Sequence, residues 1–357
     1  MIITARQEAR AMSQVKRVLI IDDSAYVRKV VTQILSRSPF LEVVGTARNG
    51  KDGLEKVEAL NPDVVTCDLI MPEMDGVEFV REQMKRRHLP VIIMSIASET
   101  ADMALTALEF GAIDFVQKPT ALATEKILEI SDELITKVKA AADIPSSRLP
   151  IIETPKPAKL DIAKPLQEVV DIVVVGVSTG GPQALRYLVP QLPGNFSVPL
   201  AIVMHMPVGY TEMYAKKLNE LSNIRVCEAN EGDVFEPGVA LLAPAGRHLT
   251  FKHDQNGNVV AHLDARPFET LHRPSVDVLF QSAAETYGSR VLGVVMTGMG
   301  NDGKEGASWI KSRGGLIYTE SEETCVVYGM PRTIVEAGLS DKSVPLDAMA
   351  EAIWEVV

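Results

Sequence analysis

The chain has 357 residues, 46% hydrophobic and 23% charged, with a formal net charge of −11. A prior of about 150 residues per domain predicts two or three domains, each long enough for a full core, and the composition excludes a mainly disordered chain. No apolar run approaches the roughly 18 residues of a membrane helix, and no basic footprint points to nucleic acid.

The opening segment Met1–Gln14 carries Arg6, Glu8 and Arg10 and has no apolar core of its own, so it does not read as a signal peptide. Met12, just before the first strong strand, is an alternative start. Short apolar runs then alternate with helical patterns: Arg17–Ile21, Glu42–Ala47, Val64–Cys67, Val91–Ser95 and Asp114–Val116. Residues 143–168 hold five of the 21 prolines with no sustained apolar period, which predicts a semi-extended linker. Beyond it the runs include Ile172–Gly176, Pro199–Met204, Val239–Ala243 and Val291–Met296. Continuous Val/Ile/Leu runs with helices between them predict parallel sheets covered on both faces. The fold class is therefore α/β, two doubly wound parallel-sheet domains in series, at 16–142 and 169–357. Lys252–His262, with a turn-rich centre at Asp254–Asn258, predicts a β-hairpin insertion. Cys67, Cys227 and Cys325 lie far apart, which suits a reducing cytoplasm and gives neither a zinc nor a disulfide framework.

In a parallel sheet, ligands gather beyond the carboxyl ends of the strands. The first strand ends in Asp22 and Asp23, the third in Asp68, the fourth in Ser95, and the fifth in Lys118 and Pro119. Three carboxylates at one edge repel, and a hard dication such as Mg²⁺ relieves that. Any one of them reads as a cap or turn residue; the ordered set is an inventory for placing a phosphoryl group on a carboxylate.

With Ile20-Ile21-Asp22-Asp23-Ser24, Asp68-Leu69-Ile70-Met71-Pro72-Glu73-Met74-Asp75-Gly76 and Val116-Gln117-Lys118-Pro119, segment 16–142 resembles a two-component receiver domain. The resemblance implies that Asp68 is the phosphoacceptor. It implies that Asp23, Asp68 and the Ile70 carbonyl hold Mg²⁺, with Asp22 acting through water. Ser95 and Lys118 would contact the phosphoryl oxygens, and Phe115 would be the switch aromatic. Ile96 departs from the pattern, where many receivers place a small residue.

After the linker, Ile172–Val177 leads into Ser178-Thr179-Gly180-Gly181-Pro182 and the helical pattern Gln183–Val189. A dinucleotide site needs G-x-G-x-x-G, but Ser178 stands at the second glycine. The alternative is G-x-S-x-G, a nucleophilic serine on a strand-to-helix turn; a plain helix cap remains open. Of six histidines, His205 directly follows the apolar run Ala201–Met204, on the same edge as Ser178. His88 falls in the first domain, His253 and His262 beside the hairpin, and His248 and His272 in loops. A base needs an orienting acid; Asp302 follows Leu292–Met296 through Thr297-Gly298-Met299-Gly300-Asn301, and its rival role is a helix cap. The order Ser178, His205, Asp302 differs from the Ser–Asp–His order of α/β-hydrolases.

These segments, with His205-Met206-Pro207, Ala243-Pro244-Ala245-Gly246-Arg247-His248, Arg273-Pro274-Ser275-Val276-Asp277 and Thr297–Gly303, closely resemble the chemotaxis protein-glutamate methylesterase/glutamine deamidase family, CheB, over nearly the whole chain. The resemblance implies a cytoplasmic, phosphorylation-controlled hydrolase in which the unphosphorylated receiver obstructs the active site. Its substrates would be glutamyl methyl esters and selected glutamines on the helices of methyl-accepting chemoreceptors, with a chemosensory histidine kinase as phosphodonor. Mg²⁺ would serve the receiver and no cofactor the hydrolysis; backbone donors for the oxyanion are sought near Thr179 and Met299. Nucleic acid is not expected as a partner, and the chain is not expected to enter the membrane. Three rivals are a DNA-binding regulator, a nicotinamide-dependent enzyme and an adaptor with a vestigial triad. Against the first stands the second domain, whose 14 basic and 22 acidic residues give it a net charge of −8 and which shows no helix-turn-helix.

Overall fold

The computed structural model describes residues 15–95, 100–118, 124–145, 148 and 170–357. Met12, Ile96, Pro119 and most of the stretch 143–168 lie outside the described residues. The chain divides into two compact units, with the boundary at Ile152 and Glu153.

The first unit is a five-stranded sheet of order β2-β1-β3-β4-β5, built from β1 (Lys16–Ile21), β2 (Leu41–Ala47), β3 (Val64–Asp68), β4 (Val91–Ser95) and β5 (Asp114–Gln117). Every ladder is parallel. Strands β3 and β4 are buried along their whole length, as continuous apolar runs between two helical layers require. Helices α1 (Ala25–Leu35), α2 (Gly50–Leu60), α3 (Gly76–Arg86), α4 (Ala101–Glu109) and α5 (Thr124–Ala142) alternate with the strands and follow the last of them. Side chains of Ser24, Asn49 and Asp75 cap the first three by accepting a backbone N–H, which supplies part of what a helix start lacks.

The second unit is a seven-stranded sheet of order β14-β13-β12-β6-β7-β9-β8, again parallel throughout. Its strands are β6 (Ile172–Val177), β7 (Leu200–Met204), β8 (Arg225–Glu228), β9 (Val239–Leu242), β12 (Val291–Val295), β13 (Leu316–Glu320) and β14 (Lys342–Val344). Its helices are α6 (Gly181–Leu188), α7 (Thr211–Leu221), α8 (Val276–Tyr287), α9 (Lys304–Ser312), α10 (Met330–Glu336) and α11 (Leu346–Trp354). The predicted hairpin is present and longer than the sequence indicated: β10 (His248–His253) pairs antiparallel with β11 (Val259–Asp264). Strands β8, β13 and β14 were not anticipated. The outer two are short, at an edge, with mixed burial, so they lack a continuous apolar signature.

The chain leaves β6 to one side for β7 and returns on the other side with β12. That reversal is where an open α/β sheet forms its crevice. A Cβ on Gly176 in β6 would collide with the Val276 side chain; the glycine lets the start of α8 press against the sheet beside this crevice.

Candidate active site and phosphoacceptor site

Ser178 follows β6, His205 follows β7 and Asp302 lies seven residues beyond β12, so the three come from adjacent central strands. Register sets the first two side by side: Val177 pairs with Met204, and the His205 N–H donates to the Val177 carbonyl at 3.2 Å. Gly180, at φ 79°, opens α6 in the left-handed region, where a side chain would be strained.

His205 Nε2 lies 2.8 Å from Asp302 Oδ2, with both side chains about nine-tenths buried. Asp302 also accepts the Ser275 hydroxyl (2.9 Å) and the N–H groups of Val276 (2.8 Å) and Asp277 (3.0 Å). Burial alone would push the Asp302 carboxyl up; the His205 contact and the backbone donors outweigh it and hold the group well below the usual carboxylate range. The remaining ring nitrogen, His205 Nδ1, is buried and has no hydrogen-bond partner among the described residues. With Nε2 committed to the acid, Nδ1 is the ring nitrogen left to exchange a proton. No hydrogen bond joins it to Ser178 in this geometry.

The segment after β12 is braced from below. Ser178 N–H donates to the Thr297 carbonyl at 3.1 Å, and the Thr297 hydroxyl donates to the Thr179 carbonyl at 2.9 Å. Thr297 N–H donates to Glu320 Oε2 at 2.8 Å, and Glu320 Oε1 accepts the Thr324 hydroxyl at 2.9 Å. Glu320 ends β13 with no exposed surface, and burial pushes its carboxyl up. Gly298 touches Ser178 so closely that a Cβ would stand 2.9 Å from the serine Cβ. Thr179 is buried and Met299 half-buried beside this platform, and no partner for the Met299 N–H is seen among the described residues.

Sequence reasoning missed several members of the site. His248, placed in a loop by the sequence, opens β10 and is fully buried. Its Nδ1 accepts the Ser275 N–H (3.2 Å) and its Nε2 faces the Pro267 carbonyl (3.1 Å); burial, chiefly, lowers its pKa. His272 stacks on His205, ring centroids 3.9 Å apart. Asp277 Oδ1 accepts the N–H groups of Gly303 (2.9 Å) and Gly306 (2.7 Å). Burial, with Asp302 nearby, raises Asp277 to about 6. The sequence signals for these residues were the runs Ala243–His248 and Arg273–Asp277; Ser275, Val276 and Asp277 of the second turn out to hold Asp302.

In the first unit, Asp22, Asp23, Asp68, Ser95 and Lys118 all fall at the carboxyl edge of the sheet. Ligand oxygens of Asp22, Asp23 and Asp68 lie within 4.8 Å of one another, a donor set that fits a hard, oxygen-seeking dication. Lys118 Nζ lies 2.8 Å from Asp22 and 2.6 Å from Asp68. Burial pushes Asp68 up; Lys118 opposes this, and Asp22 adds to it, for a net rise. Burial works to lower the Lys118 pKa, but the two aspartates outweigh it and the net shift is upward. Ser95 Oγ is 2.5 Å from Thr100 Oγ1. Phe115 is buried, and its carbonyl accepts from Lys137 Nζ of α5 at 3.0 Å. A Cβ on Gly76 would collide with the Asp68 carbonyl, so that glycine lets α3 start against the acceptor strand.

A receiver-type edge in one unit and a serine–histidine–aspartate edge in the other define the class, a response regulator whose output unit is built as an enzyme. Residues 18–130 match the response regulator receiver domain family and residues 173–353 match the CheB methylesterase family. The chain belongs to the CheB methylesterase family. It is 48% identical over 335 residues to protein-glutamate methylesterase/protein-glutamine glutaminase 5 of Myxococcus xanthus, covering 93% of this chain and 95% of the relative. A relative of the same description from Halalkalibacterium halodurans is 43% identical, with 94% and 97% covered. The crystal structure of the Thermotoga maritima CheB methylesterase catalytic domain, 42% identical, superposes with a TM-score of 0.51, over 53% of this chain and 99% of that one. Among the described residues no helix is long and apolar enough to cross a membrane.

Proposed function

We propose that this protein is a phosphorylation-activated protein-glutamate methylesterase and protein-glutamine deamidase, acting in the cytoplasm on methyl-accepting chemoreceptors. The observation that carries the reading is the His205–Asp302 hydrogen bond with the opposite ring nitrogen buried and unpartnered, at the end of the strand that pairs with the one leading into Ser178. Ser178 Oγ attacks the ester carbonyl as His205 Nδ1 takes its proton. Asp302 fixes the ring and stabilises its charged form. The tetrahedral oxyanion is met by backbone N–H groups at Thr179 and Met299. Collapse expels methanol, protonated by His205, or ammonia when the substrate is a glutamine. Water, activated by the same nitrogen, then releases glutamate and regenerates Ser178.

In the receiver, 16–142, Asp68 takes the phosphoryl group from a chemosensory histidine kinase. Asp22, Asp23 and Asp68 would hold Mg²⁺, which supplies charge neutralisation for that transfer. Ser95 and Lys118 bind the phosphoryl oxygens, and Phe115 relays the change from beneath the sheet edge. The segment 143–168 tethers the catalytic domain, 169–357, at high effective concentration, so that the unphosphorylated receiver holds the hydrolase low. The test is methanol release from methylated receptors with acetyl phosphate and Mg²⁺. Wild type rises above its basal rate, Asp68→Asn stays at it, and a fragment beginning near Val169 exceeds unphosphorylated wild type. An Asp68→Asn protein stimulated like wild type would defeat the assignment.

A further inference from the structure

Val208, Phe268 and Leu271 are exposed at 70%, 62% and 87%. They sit on two loops that meet at His205. Val208 lies three residues beyond it, and Phe268 and Leu271 precede His272, the residue stacked on the His205 ring. The loops are stitched together. Gly246 N–H donates to the Arg273 carbonyl at 3.0 Å, and a Cβ on Gly246 would stand 3.3 Å from Val208 Cγ2. The Arg273 guanidinium lies 5.2 Å from the centre of the Phe268 ring and donates to the Phe268 carbonyl at 3.3 Å. Beneath them, buried His248 grips the same loop at Pro267 and Ser275. One exposed leucine needs no explanation. Three large apolar side chains exposed on two linked loops, one leading away from His205 and the other ending at the His272 stacked on it, form the kind of patch that marks an interaction site.

We propose that Val208, Phe268 and Leu271 are a recognition rim for the receptor segment that carries the methyl ester, and that they receive the apolar face of an amphipathic helix. This rests on the methylesterase reading above. The ester is borne on a single short side chain, and Ser178 is half-buried. The backbone carrying the ester must therefore lie across the rim while the carbonyl reaches the serine. On a helix, residues three and four positions away share that face, so apolar neighbours one turn from the ester meet the rim, the usual helix-in-groove mode. The rim is specificity-determining and takes no part in bond making.

The experiment uses the full chain, phosphorylated with acetyl phosphate and Mg²⁺, and reads methanol release from methylated receptor in membranes. Leu271→Ser is expected to raise KM about tenfold with kcat within threefold of wild type, and the triple variant Val208→Ser, Phe268→Ser, Leu271→Ser to lose roughly a hundredfold in kcat/KM. Leu271→Met is expected to restore KM. A triple variant with KM within twofold of wild type overturns the proposal, as does a loss confined to kcat. A rise in the basal rate of the unphosphorylated triple variant would give these side chains to the chain's own receiver and also overturn it. Wild type that releases no methanol would defeat the methylesterase reading and the rim with it; active wild type with unchanged variants defeats the rim alone.

Discussion

Asp302→Asn separates charge from shape at the centre of the site. Each carboxylate oxygen of Asp302 serves one backbone N–H, Val276 to Oδ2 and Asp277 to Oδ1, besides His205 and Ser275. An asparagine cannot satisfy both, because its NH₂ must face one of the two N–H groups. A buried donor left without an acceptor costs about 1–3 kcal/mol, and the charge-assisted character of the remaining bonds is lost as well. A net destabilisation of about 2–4 kcal/mol at pH 7 follows, or roughly 4–16 °C in Tm for a domain of this size. Because the folded-state pKa is depressed, this contribution is fully present above the unfolded value near 4 and is lost as pH falls through the folded value. The deficit should therefore be constant from pH 8 to 5 and shrink only below about pH 4. Catalysis should fall further, by about 10³–10⁴ in kcat, since the imidazole loses both its orientation and its counter-charge. The measurements are thermal melts across pH and methanol release under phosphorylating conditions. An Asn variant melting within about 1 °C of wild type and turning over within threefold would show that the hydrogen bonds around Asp302 do not carry the role assigned to them.

Glu320→Gln can still accept the Thr297 N–H and should keep activity within about fivefold, whereas Glu320→Leu strands that N–H and should lose at least tenfold in kcat, with KM little changed; equal kinetics for the two would remove Glu320 from the support of the platform. Asp277, raised to about 6, disfavours its own charge in the folded state, so it costs stability above that pH and ceases to as the pH falls towards 4. Asp277→Asn keeps an oxygen for Gly303 and Gly306, so its gain in Tm over wild type should be largest at pH 8 and shrink by pH 5; a difference independent of pH would contradict a carboxylate disfavoured by its burial and by Asp302.

The fold was legible because each central strand is a continuous apolar run, as Ile172–Val177 and Val291–Val295 show. The candidate site residues stood out for a related reason. Asp22, Asp68, Ser178 and His205 directly end or follow such runs, and a parallel sheet brings strand ends to one edge. What could not be read were contacts between residues remote in sequence that leave no period behind. Glu320 ends a strand whose Tyr-Thr-Glu tail looks solvent-facing, yet it lies fully buried under Thr297. His248 and His272 looked like loop residues because nothing local shows that one bonds Ser275 and the other stacks on His205. Asp302 was weighed against an equally plausible role as cap of the helix that follows it; α9 starts after Gly303 with no side-chain cap, and the Asp302 carboxylate instead accepts from Ser275, Val276 and Asp277 at the start of α8.

The central claim is that one hydroxyl, that of Ser178, performs the hydrolysis. Its most direct measurement is methanol release from methylated chemoreceptor by phosphorylated wild type and by Ser178→Ala, compared at matched thermal stability. The half-buried Ser178 makes no hydrogen bond through its side chain among the described residues, so the substitution should leave the melt within about 1 °C. The account predicts rapid release by wild type and a loss of at least about 10⁴ in the variant. Release by folded Ser178→Ala at a rate comparable to wild type would contradict it.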